Sequence, residues 1–190
     1  MTTKKDIRKH FLELRLNMDD NTALDLNGRL LNRCRQLDYS RFRMAHVFLP
    51  ISEKKEADTW PLVKWLRDEY PGLQWALSRS DMKTGDMIHY LWKTNTILIK
   101  NQFGIPEPEH GEEVQPADID LIFVPLLAFD RKGQRVGYGK GMYDRFLQQC
   151  PTAYTVGLSL FEPVPAIQDV DPWDIPLQTV VTPDHIYQFK

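Results

Sequence analysis

Residues 135–144, "RVGYGKGMYD", hold three glycines at alternate positions next to several charged side chains. Alternating glycines allow backbone N–H groups to converge on one anion, because no Cβ blocks the approach and a positive φ is accessible. Arg135 and Lys140 add positive charges that suit phosphate. The stretch therefore predicts a phosphate-binding loop, although a flexible turn without a ligand could have the same composition.

A helix is predicted to begin near Met142, so its N-terminal N–H groups would face the same anion. Asp144 lies in the first turn of that helix, where its charge would repel phosphate unless a cation lies between them. A magnesium ion held by one or two carboxylates and by phosphate oxygens would meet this need. The alternative is that Asp144 is only a favourable carboxylate at a helix start.

The elements that must position this loop alternate along the chain. Apolar spacing predicts helices at 3–17, from the "MDDNT" segment to about residue 36, at 58–70 and at 141–150. Strands are predicted at 44–50, 73–78, 86–92, 120–125, 153–160 and 177–182. Strands separated by helices favour an α/β fold with a mainly parallel sheet and helices on both faces. Segment 101–118, rich in proline, is expected to have no regular structure.

The first two predicted helices are amphipathic. Their apolar positions are Ile7, Phe11, Leu14 and Met18 in the first helix and Leu24, Leu30, Leu31 and Cys34 in the second. The remaining positions of the first helix carry Lys4, Lys5, Arg8, Lys9 and Arg15. Such a charged face is usually solvated.

The composition is that of an ordinary globular chain, and it narrows the classes of partner. The 190 residues, 42% of them hydrophobic, suit one domain spanning 1–190. A net charge of −2 gives no general attraction to nucleic acid or to an anionic membrane. The longest apolar stretch, 121–129, is far shorter than the roughly 20 residues of a membrane-spanning helix.

The N-terminal segment and the cysteines indicate a cytoplasmic protein. "MTTKKDIRKHFLELR" is charged and lacks the apolar run of a signal peptide. Cys34 and Cys150 do not have the spacing of a disulfide framework or a zinc site, and the five histidines show no metal-ligand spacing. We expect a monomer in the cytoplasm, with no nucleic-acid or membrane partner.

The longer segment 123–147, "FVPLLAFDRKGQRVGYGKGMYDRFL", resembles the signature of the 5-formyltetrahydrofolate cyclo-ligase family, also called methenyltetrahydrofolate synthetases. That signature reads P-x-x-[AG]-F-D-x-x-G-x-R-L-G-x-G-x-G-Y-Y-D. The matching residues are Pro125, Phe129, Asp130, Gly133, Arg135, Gly137, Gly139, Gly141, Tyr143 and Asp144. A pattern with so many fixed positions is highly specific.

The resemblance extends along the chain. Lys4 and Arg8 match the family's K-x-x-x-R, and "EADT" (56–59), "GIPEP" (104–108) and "WDIPLQTVVTP" (173–183) resemble further segments. Two departures stand out. Met142 replaces the first aromatic residue of Y-Y-D, and the segment between Pro50 and Glu56 is longer than in the family and carries two lysines.

The resemblance implies an ATP- and Mg²⁺-dependent conversion of 5-formyltetrahydrofolate to 5,10-methenyltetrahydrofolate, with release of ADP and phosphate. It also implies a three-layer Rossmann-like domain, similar to the sugar-phosphate isomerase and CoA-transferase group. The implied ATP-binding residues are Lys4, Arg8, Arg135, Gly137, Gly139, Lys140 and Gly141, of which Arg135 and Lys140 also serve catalysis. The implied substrate-binding residues are Glu56, Met142 and Tyr143, and the implied metal ligands are Asp144 and Asp174.

Each of these roles has a plainer alternative, and so has the activity. Glu56 could be a surface glutamate before a helix, Asp174 a turn residue and Tyr143 a core residue. The chain could instead be a sugar-phosphate isomerase-like enzyme that needs no ATP. It could also be a catalytically weak relative that binds folate or nucleotide, a possibility raised by Met142. Trp92 and Phe103 are further residues that could border a folate site.

Overall fold

The computed structural model describes residues 2–81 and 83–189 of the chain. The described helices are α1 (Lys4–Asn17), α2 (Asp20–Cys34), α3 (Trp60–Glu69) and α4 (Met142–Gln148), with short 3₁₀ helices at Ser52–Lys54 and Pro116–Asp118. The described strands are β1 (Met44–His46), β2 (Gln74–Ser80), β3 (Met87–Leu91), β4 (Leu98–Lys100), β5 (Pro106–Pro108), β6 (Glu113–Val114), β7 (Leu121–Pro125), β8 (Ala128–Phe129), β9 (Arg135–Val136), β10 (Tyr154–Leu158), β11 (Thr179–Val181) and β12 (Ile186–Gln188).

Eight of these strands form the main sheet, in the order β12-β11-β10-β7-β1-β2-β3-β6. The pairs from β11 to β2 are all parallel, while β12, β3 and β6 join the sheet antiparallel at its two sides. The strands β4 and β5 pair with each other, as do β8 and β9. The carboxyl ends of β1, β2 and β7 therefore lie at one edge of the sheet, where α/β proteins commonly bind ligands.

The central strand β7 shows why helices cover both faces of the sheet. Its side chains alternate between two apolar clusters, because successive residues of a strand point to opposite faces. Leu121 and Phe123 pack with residues of α2 and α3. Ile122 and Val124 pack with Phe146 and other residues of α4. The predicted α/β class, with a mainly parallel sheet and helices on both faces, is confirmed.

The N-terminal helix α1 packs away from the sheet centre, against the β8–β9 hairpin. Thr3 caps it by accepting a hydrogen bond from the backbone N–H of Asp6. Its residues Ile7 and Phe11 form a third apolar cluster with Leu127 and other residues of the hairpin region. This contact holds the amino end of α1 beside the carboxyl edge of the sheet.

Several details differ from the sequence-based expectations. Segment 101–118 contains β5, β6 and a 3₁₀ helix. Pro106 and Pro108 lie in the two-stranded ribbon of β4 and β5, where proline is tolerated, and Pro116 begins the 3₁₀ helix. Leu14 is 40% exposed and Leu24 is 74% exposed, so neither belongs to the buried face. Arg15, expected on the charged face, is only 2% exposed because it lies one turn after Phe11 on the buried side.

Among the described residues, no helix is both long and apolar enough to cross a membrane.

Candidate active site

A cavity of about 500 Å³ opens at the carboxyl edge of the sheet. Residues just after β1, at the end of β2 and at the end of β7 form its floor, including Phe48, Ser78 and Pro125. The glycine loop, defined here as residues 137–141, and the amino end of α1 form its walls. Its size and its mixture of apolar and charged lining suit a small organic ligand that carries anionic groups.

The hairpin β8–β9 fixes the start of the glycine loop. The buried side chain of Asp130 accepts hydrogen bonds from the backbone N–H groups of Lys132, Gln134 and Ile167. Gly133 closes the turn at a φ of 79°, and a Cβ there would lie 2.6 Å from the carbonyl oxygen of Leu177. Asp130 and Gly133 therefore support the glycine loop and do not themselves line the cavity.

Within the glycine loop, the three glycines meet different constraints. Gly139 and Gly141 have positive φ angles of 88° and 63°, which disfavour any residue with a side chain. A Cβ on Gly139 would also lie 3.0 Å from Cζ of Arg8. Gly137 has no positive φ, and a Cβ there would meet no atom within 4 Å. The backbone conformation therefore favours glycine at 139 and 141, whereas nothing in the protein itself favours it at 137.

All residues that the sequence assigned to a site line this one cavity. They are Lys4, Arg8, Glu56, Arg135, Gly137, Gly139, Lys140, Gly141, Met142, Tyr143, Asp144 and Asp174. They come from α1, the segment after β1, β9, the glycine loop, α4 and the segment before β11, so only the fold brings them together. Their individual roles stay predictions.

Two predicted ATP ligands are paired with the two predicted metal ligands. Arg135 Nη2 lies 2.7 Å from Asp144 Oδ1, and both side chains are largely buried. Lys4 Nζ donates hydrogen bonds to Asp174 and to Asp171. Although burial opposes it, these carboxylates raise the pKa of Lys4, which keeps the ammonium charged. The charge of Asp144, expected to need a metal, is thus already balanced by an arginine.

Both carboxylates keep an oxygen for a further ligand. Oδ1 of Asp144 accepts hydrogen bonds from Arg135 and from the backbone of Ile175, and Oδ2 of Asp174 accepts from Lys4 and from the backbone of Asp171. The other oxygen of each carboxylate has no hydrogen-bond partner among residues 2–81 and 83–189. Within the same residues, no three His, Cys, Asp or Glu side chains cluster as a metal site. The pair therefore fits Mg²⁺ only if oxygens of a bound phosphate complete its coordination.

Arg8 contacts the glycine loop from α1, and Lys140 belongs to the loop; neither has a carboxylate partner in the described structure. Arg8 Nε donates to the carbonyl oxygen of Gly137 at 2.9 Å, which leaves the rest of its guanidinium beside the loop. Lys140 is exposed, and its Nζ lies 4.2 Å from the ring centroid of Phe103. The helix α4 that follows has only seven residues. The two cations add full positive charges to the partial positive charge at the amino end of this helix.

Glu56 is buried at the other side of the loop, so the interpretation of it as a surface glutamate is wrong. Its Oε2 accepts a hydrogen bond from the backbone N–H of Ile51, and its Oε1 accepts one from the hydroxyl of Tyr138. Arg15 also donates to the Tyr138 hydroxyl, and its guanidinium lies 4.0 Å from Oε1 of Glu56. A buried arginine thus compensates the buried carboxylate.

Tyr143 fits both interpretations that the sequence left open, because it lines the cavity and packs on the core. Its ring meets those of Phe146 and His46 edge to face, at 6.1 and 5.9 Å between centroids. Burial and the nearby charge of Glu56 raise the pKa of its hydroxyl, so Tyr143 stays neutral. Met142 lines the cavity at the amino end of α4.

Sequence reasoning missed four cavity-lining or supporting residues. In the sequence, Tyr138 is only the residue between Gly137 and Gly139, and Arg15 is one of several cations on the first helix. Lys54 and Asp171 also line the cavity. Only Arg15 had a sequence signal, because it follows Ile7 and Phe11 at helical spacing.

The two aromatic residues that could have bordered a folate site differ in position. Phe103 lines the cavity. Trp92 does not, because it packs against Trp60 and lies under the guanidinium of Arg67.

A family model, a relative in sequence and solved structures all match this chain, and all carry the name of the same enzyme activity. The model of the 5-formyltetrahydrofolate cyclo-ligase family matches residues 1–183. The 5-formyltetrahydrofolate cyclo-ligase of Escherichia coli strain K12 is 33% identical over 169 residues, which cover 82% of this chain and 87% of that protein. The NMR structure of Aquifex aeolicus 5,10-methenyltetrahydrofolate synthetase superposes with a TM-score of 0.82 at 30% identity, covering 98% of this chain and 93% of that one. A methenyltetrahydrofolate synthetase structure from Mycoplasma pneumoniae, with a TM-score of 0.71 at 20% identity, supports the fold alone.

Proposed function

The chain belongs to the 5-formyltetrahydrofolate cyclo-ligase family, and from this premise we propose that it converts 5-formyltetrahydrofolate to 5,10-methenyltetrahydrofolate with ATP and Mg²⁺. ADP and phosphate are the other products. The observation that carries this proposal is that one cavity is lined by a glycine loop, by a buried carboxylate and by two cations that have no carboxylate partner among residues 2–81 and 83–189. The loop and the cations suit phosphates, and the carboxylate suits a heterocycle with N–H donors.

The proposed chemistry needs positioning and charge compensation, with no nucleophile from the protein. The formyl oxygen of the folate attacks the γ-phosphorus of ATP, the bond to the ADP oxygen breaks, and the formyl carbon becomes an electrophile. N10 of the folate then attacks this carbon and loses its proton, and the carbon–oxygen bond breaks to release phosphate. The thiols agree with this scheme, because burial raises the pKa of both Cys34 and Cys150 to about 12 and keeps them protonated.

We assign the phosphates of ATP to the glycine loop. Gly137 leaves open space in front of its backbone, since no protein atom lies within 4 Å of the position that a Cβ would take. Arg8 and Lys140 supply charges that no described carboxylate neutralises. A phosphate bound there would receive both loop N–H groups and cationic donors, which are strong ligands for it.

The two ion pairs of the cavity suit the binding of a magnesium nucleotide. We propose that Asp144 and Asp174 hold Mg²⁺ through their free oxygens, while Arg135 and Lys4 turn toward the phosphates. Each carboxylate would exchange its cation for the metal, and each cation would exchange its carboxylate for phosphate, so the net charge of the cavity stays balanced. When bound, the metal would neutralise charge on the phosphates.

Glu56 is the proposed anchor of the pteridine ring. A carboxylate has about four lone-pair sites, and the hydrogen bonds from Ile51 and Tyr138 occupy one on each oxygen. The two remaining sites can accept hydrogen bonds from adjacent N–H donors of the ring. Tyr143 and Met142, which line the same cavity, would contact the folate through apolar surface.

We also propose that residues 1–190 act as one domain, as a monomer and in the cytoplasm. Residues from α1 near one end of the chain and from the segment before β11 near the other complete the same cavity. No second chain is needed to supply the assigned groups. The two cysteines are free and buried, which agrees with a reducing compartment.

An absorbance assay tests the proposed function. Purified protein, 5-formyltetrahydrofolate and MgATP should produce the absorbance band of the methenyl product, together with one ADP for each product molecule. Omitting either ATP or Mg²⁺ should abolish the change. Binding of the folate by folded protein without any methenyl product would favour the non-catalytic alternative.

A further inference from the structure

Among the described residues, five cationic side chains line the cavity, and they differ in how their charge is balanced. Lys4 and Arg135 are paired with carboxylates. Arg8, Lys54 and Lys140 have no carboxylate within salt-bridge distance in the part of the chain that the structure describes. Arg8 and Lys140 already have a proposed role at the phosphates. Lys54 has no proposed role so far. Because burial of a charge without a partner is costly, a half-buried cation of this kind suits the binding of an anion.

Lys54 lies over Tyr138, the residue that links the glycine loop to Glu56. Its Nζ is 4.3 Å from the ring centroid of Tyr138. The backbone of Tyr138 is part of the glycine loop, and its hydroxyl donates to Glu56 at 2.8 Å. The ammonium group therefore lies between the proposed phosphate loop and the proposed pteridine anchor. In the proposed reaction, the γ-phosphoryl group must meet the formyl oxygen between these same two places.

The backbone around Lys54 is fixed on both sides. Ile51 donates its N–H to Glu56, and Lys55 adopts a left-handed conformation with a φ of 45°. The side chain of Lys55 forms a salt bridge with Asp20 at 3.0 Å and also donates to the carbonyl oxygen of Met18. These contacts tie the 3₁₀ helix 52–54 to the junction of α1 and α2. These contacts fix the backbone from which the Lys54 side chain extends, so only that side chain has to reorient to meet developing charge, and a small reorganisation favours electrostatic catalysis.

We propose that Lys54 is a further catalytic residue, which contacts the γ-phosphoryl oxygens and stabilises their charge as the group moves from ADP to the formyl oxygen. This inference rests on the proposed function of the cavity. Lys54 acts as a fixed positive charge and neither gives nor takes a proton. The phosphorus–oxygen bond to ADP breaks, and the bond to the formyl oxygen forms, beside the ammonium group.

The test compares Lys54→Met, which removes the charge but keeps most of the length, with Lys54→Arg, which keeps the charge. Lys5→Met is the matched control, since Lys5 is an exposed lysine of α1 with no assigned role. We expect Lys54→Met to lower kcat by roughly 100-fold, the order found when one donor to a developing oxyanion is removed. The KM for the folate and the Kd of MgATP, measured with a non-hydrolysable analogue, should change by less than about threefold.

The same measurements can overturn the inference. Lys54→Arg should recover most of the lost kcat, and Lys5→Met should match the wild type. A Lys54→Met protein with kcat within about threefold of the wild type would refute the role, and so would a loss confined to the KM of the folate. A melting temperature that falls together with kcat in both Lys54 variants would show a structural role instead. If the wild type itself makes no methenyl product, the proposed function fails and this inference fails with it.

Discussion

The glycine loop allows a matched pair of substitutions whose effects on stability and on ATP use should separate. Gly137→Ala places a methyl group where the protein has no atom within 4 Å, at a backbone conformation that alanine can adopt. Its free energy of unfolding should therefore stay equal or rise by about 0.4–1 kcal/mol, because alanine reduces the conformational entropy of the unfolded chain. If phosphates occupy that space, the methyl group will displace them, and kcat/KM for MgATP should fall by more than about tenfold.

Gly139→Ala, in contrast to Gly137→Ala, is expected to lower the free energy of unfolding. Its φ of 88° disfavours alanine, and its Cβ would lie 3.0 Å from Cζ of Arg8. A residue other than glycine in this conformation costs about 1–2 kcal/mol. In a chain of this length, such a loss lowers Tm by about 2–8 °C. Gly28→Ala is the control for adding a methyl group at an unhindered glycine outside the loop. Gly28 is exposed within α2, and a Cβ there also meets no atom within 4 Å.

The assay combines thermal unfolding with steady-state kinetics at varied MgATP and saturating folate. A Gly137→Ala protein that is stable and has the wild-type KM for MgATP would contradict the assignment of phosphate to this loop. A Gly137→Ala protein that loses as much stability as Gly139→Ala would contradict the conformational reasoning instead. The two failures are therefore distinguishable.

Three further predictions follow from the same geometry. Lys140→Ala should lower kcat/KM for MgATP by roughly 100-fold with Tm unchanged, because Lys140 is exposed; near-normal kinetics with ATP would remove it from the site. Asp144→Asn should raise the Mg²⁺ concentration needed for half-maximal rate, and an unchanged metal titration would exclude it as a ligand. Burial lowers the pKa of His89 to about 4. Burial and the neighbouring His89 lower the pKa of His46 well below 6.5. Below pH 6.5 the unfolded chain therefore binds more protons than the folded protein. The free energy of unfolding should therefore fall as the pH drops below 6.5, by up to about 1.4 kcal/mol per pH unit for each histidine. Urea unfolding at pH 7 and pH 5 should show a smaller loss for His89→Phe than for the wild type.

The layered fold could be predicted from the sequence because its signals are local. The apolar run of β7 has the length and flanking residues of a buried strand, and α1 and α3 follow helical spacing, with a capping threonine before α1 and a proline in the first turn of α3. The small ribbon of β4 and β5 could not be predicted in this way. Its strands have three residues each, and two of those in β5 are prolines, so their pairing depends on the surrounding fold.

The composition of the site could be predicted, but its internal pairing could not. The signature, the K-x-x-x-R helix and the segments 56–59 and 173–183 together identified twelve residues that the fold brings to one cavity. That Arg135 balances Asp144 depends on how the hairpin and α4 fold together, and that Lys4 balances Asp174 depends on a contact between residues 170 positions apart. The same holds for Tyr138, whose hydroxyl reaches Glu56 across 82 positions of sequence. The residue type shows that a side chain is charged or polar, whereas only the fold determines which residue it pairs with.

An isotope-transfer experiment tests the central claim, that the cavity brings the γ-phosphate of ATP to the formyl oxygen of the folate. The substrate is 5-formyltetrahydrofolate with oxygen-18 in its formyl group, and the inorganic phosphate released by the protein with MgATP is analysed by mass spectrometry. We expect one labelled oxygen in each phosphate, in equal amount to the methenyl product. Unlabelled phosphate formed together with the methenyl product would contradict the claim, because the formyl oxygen would then have left by another route.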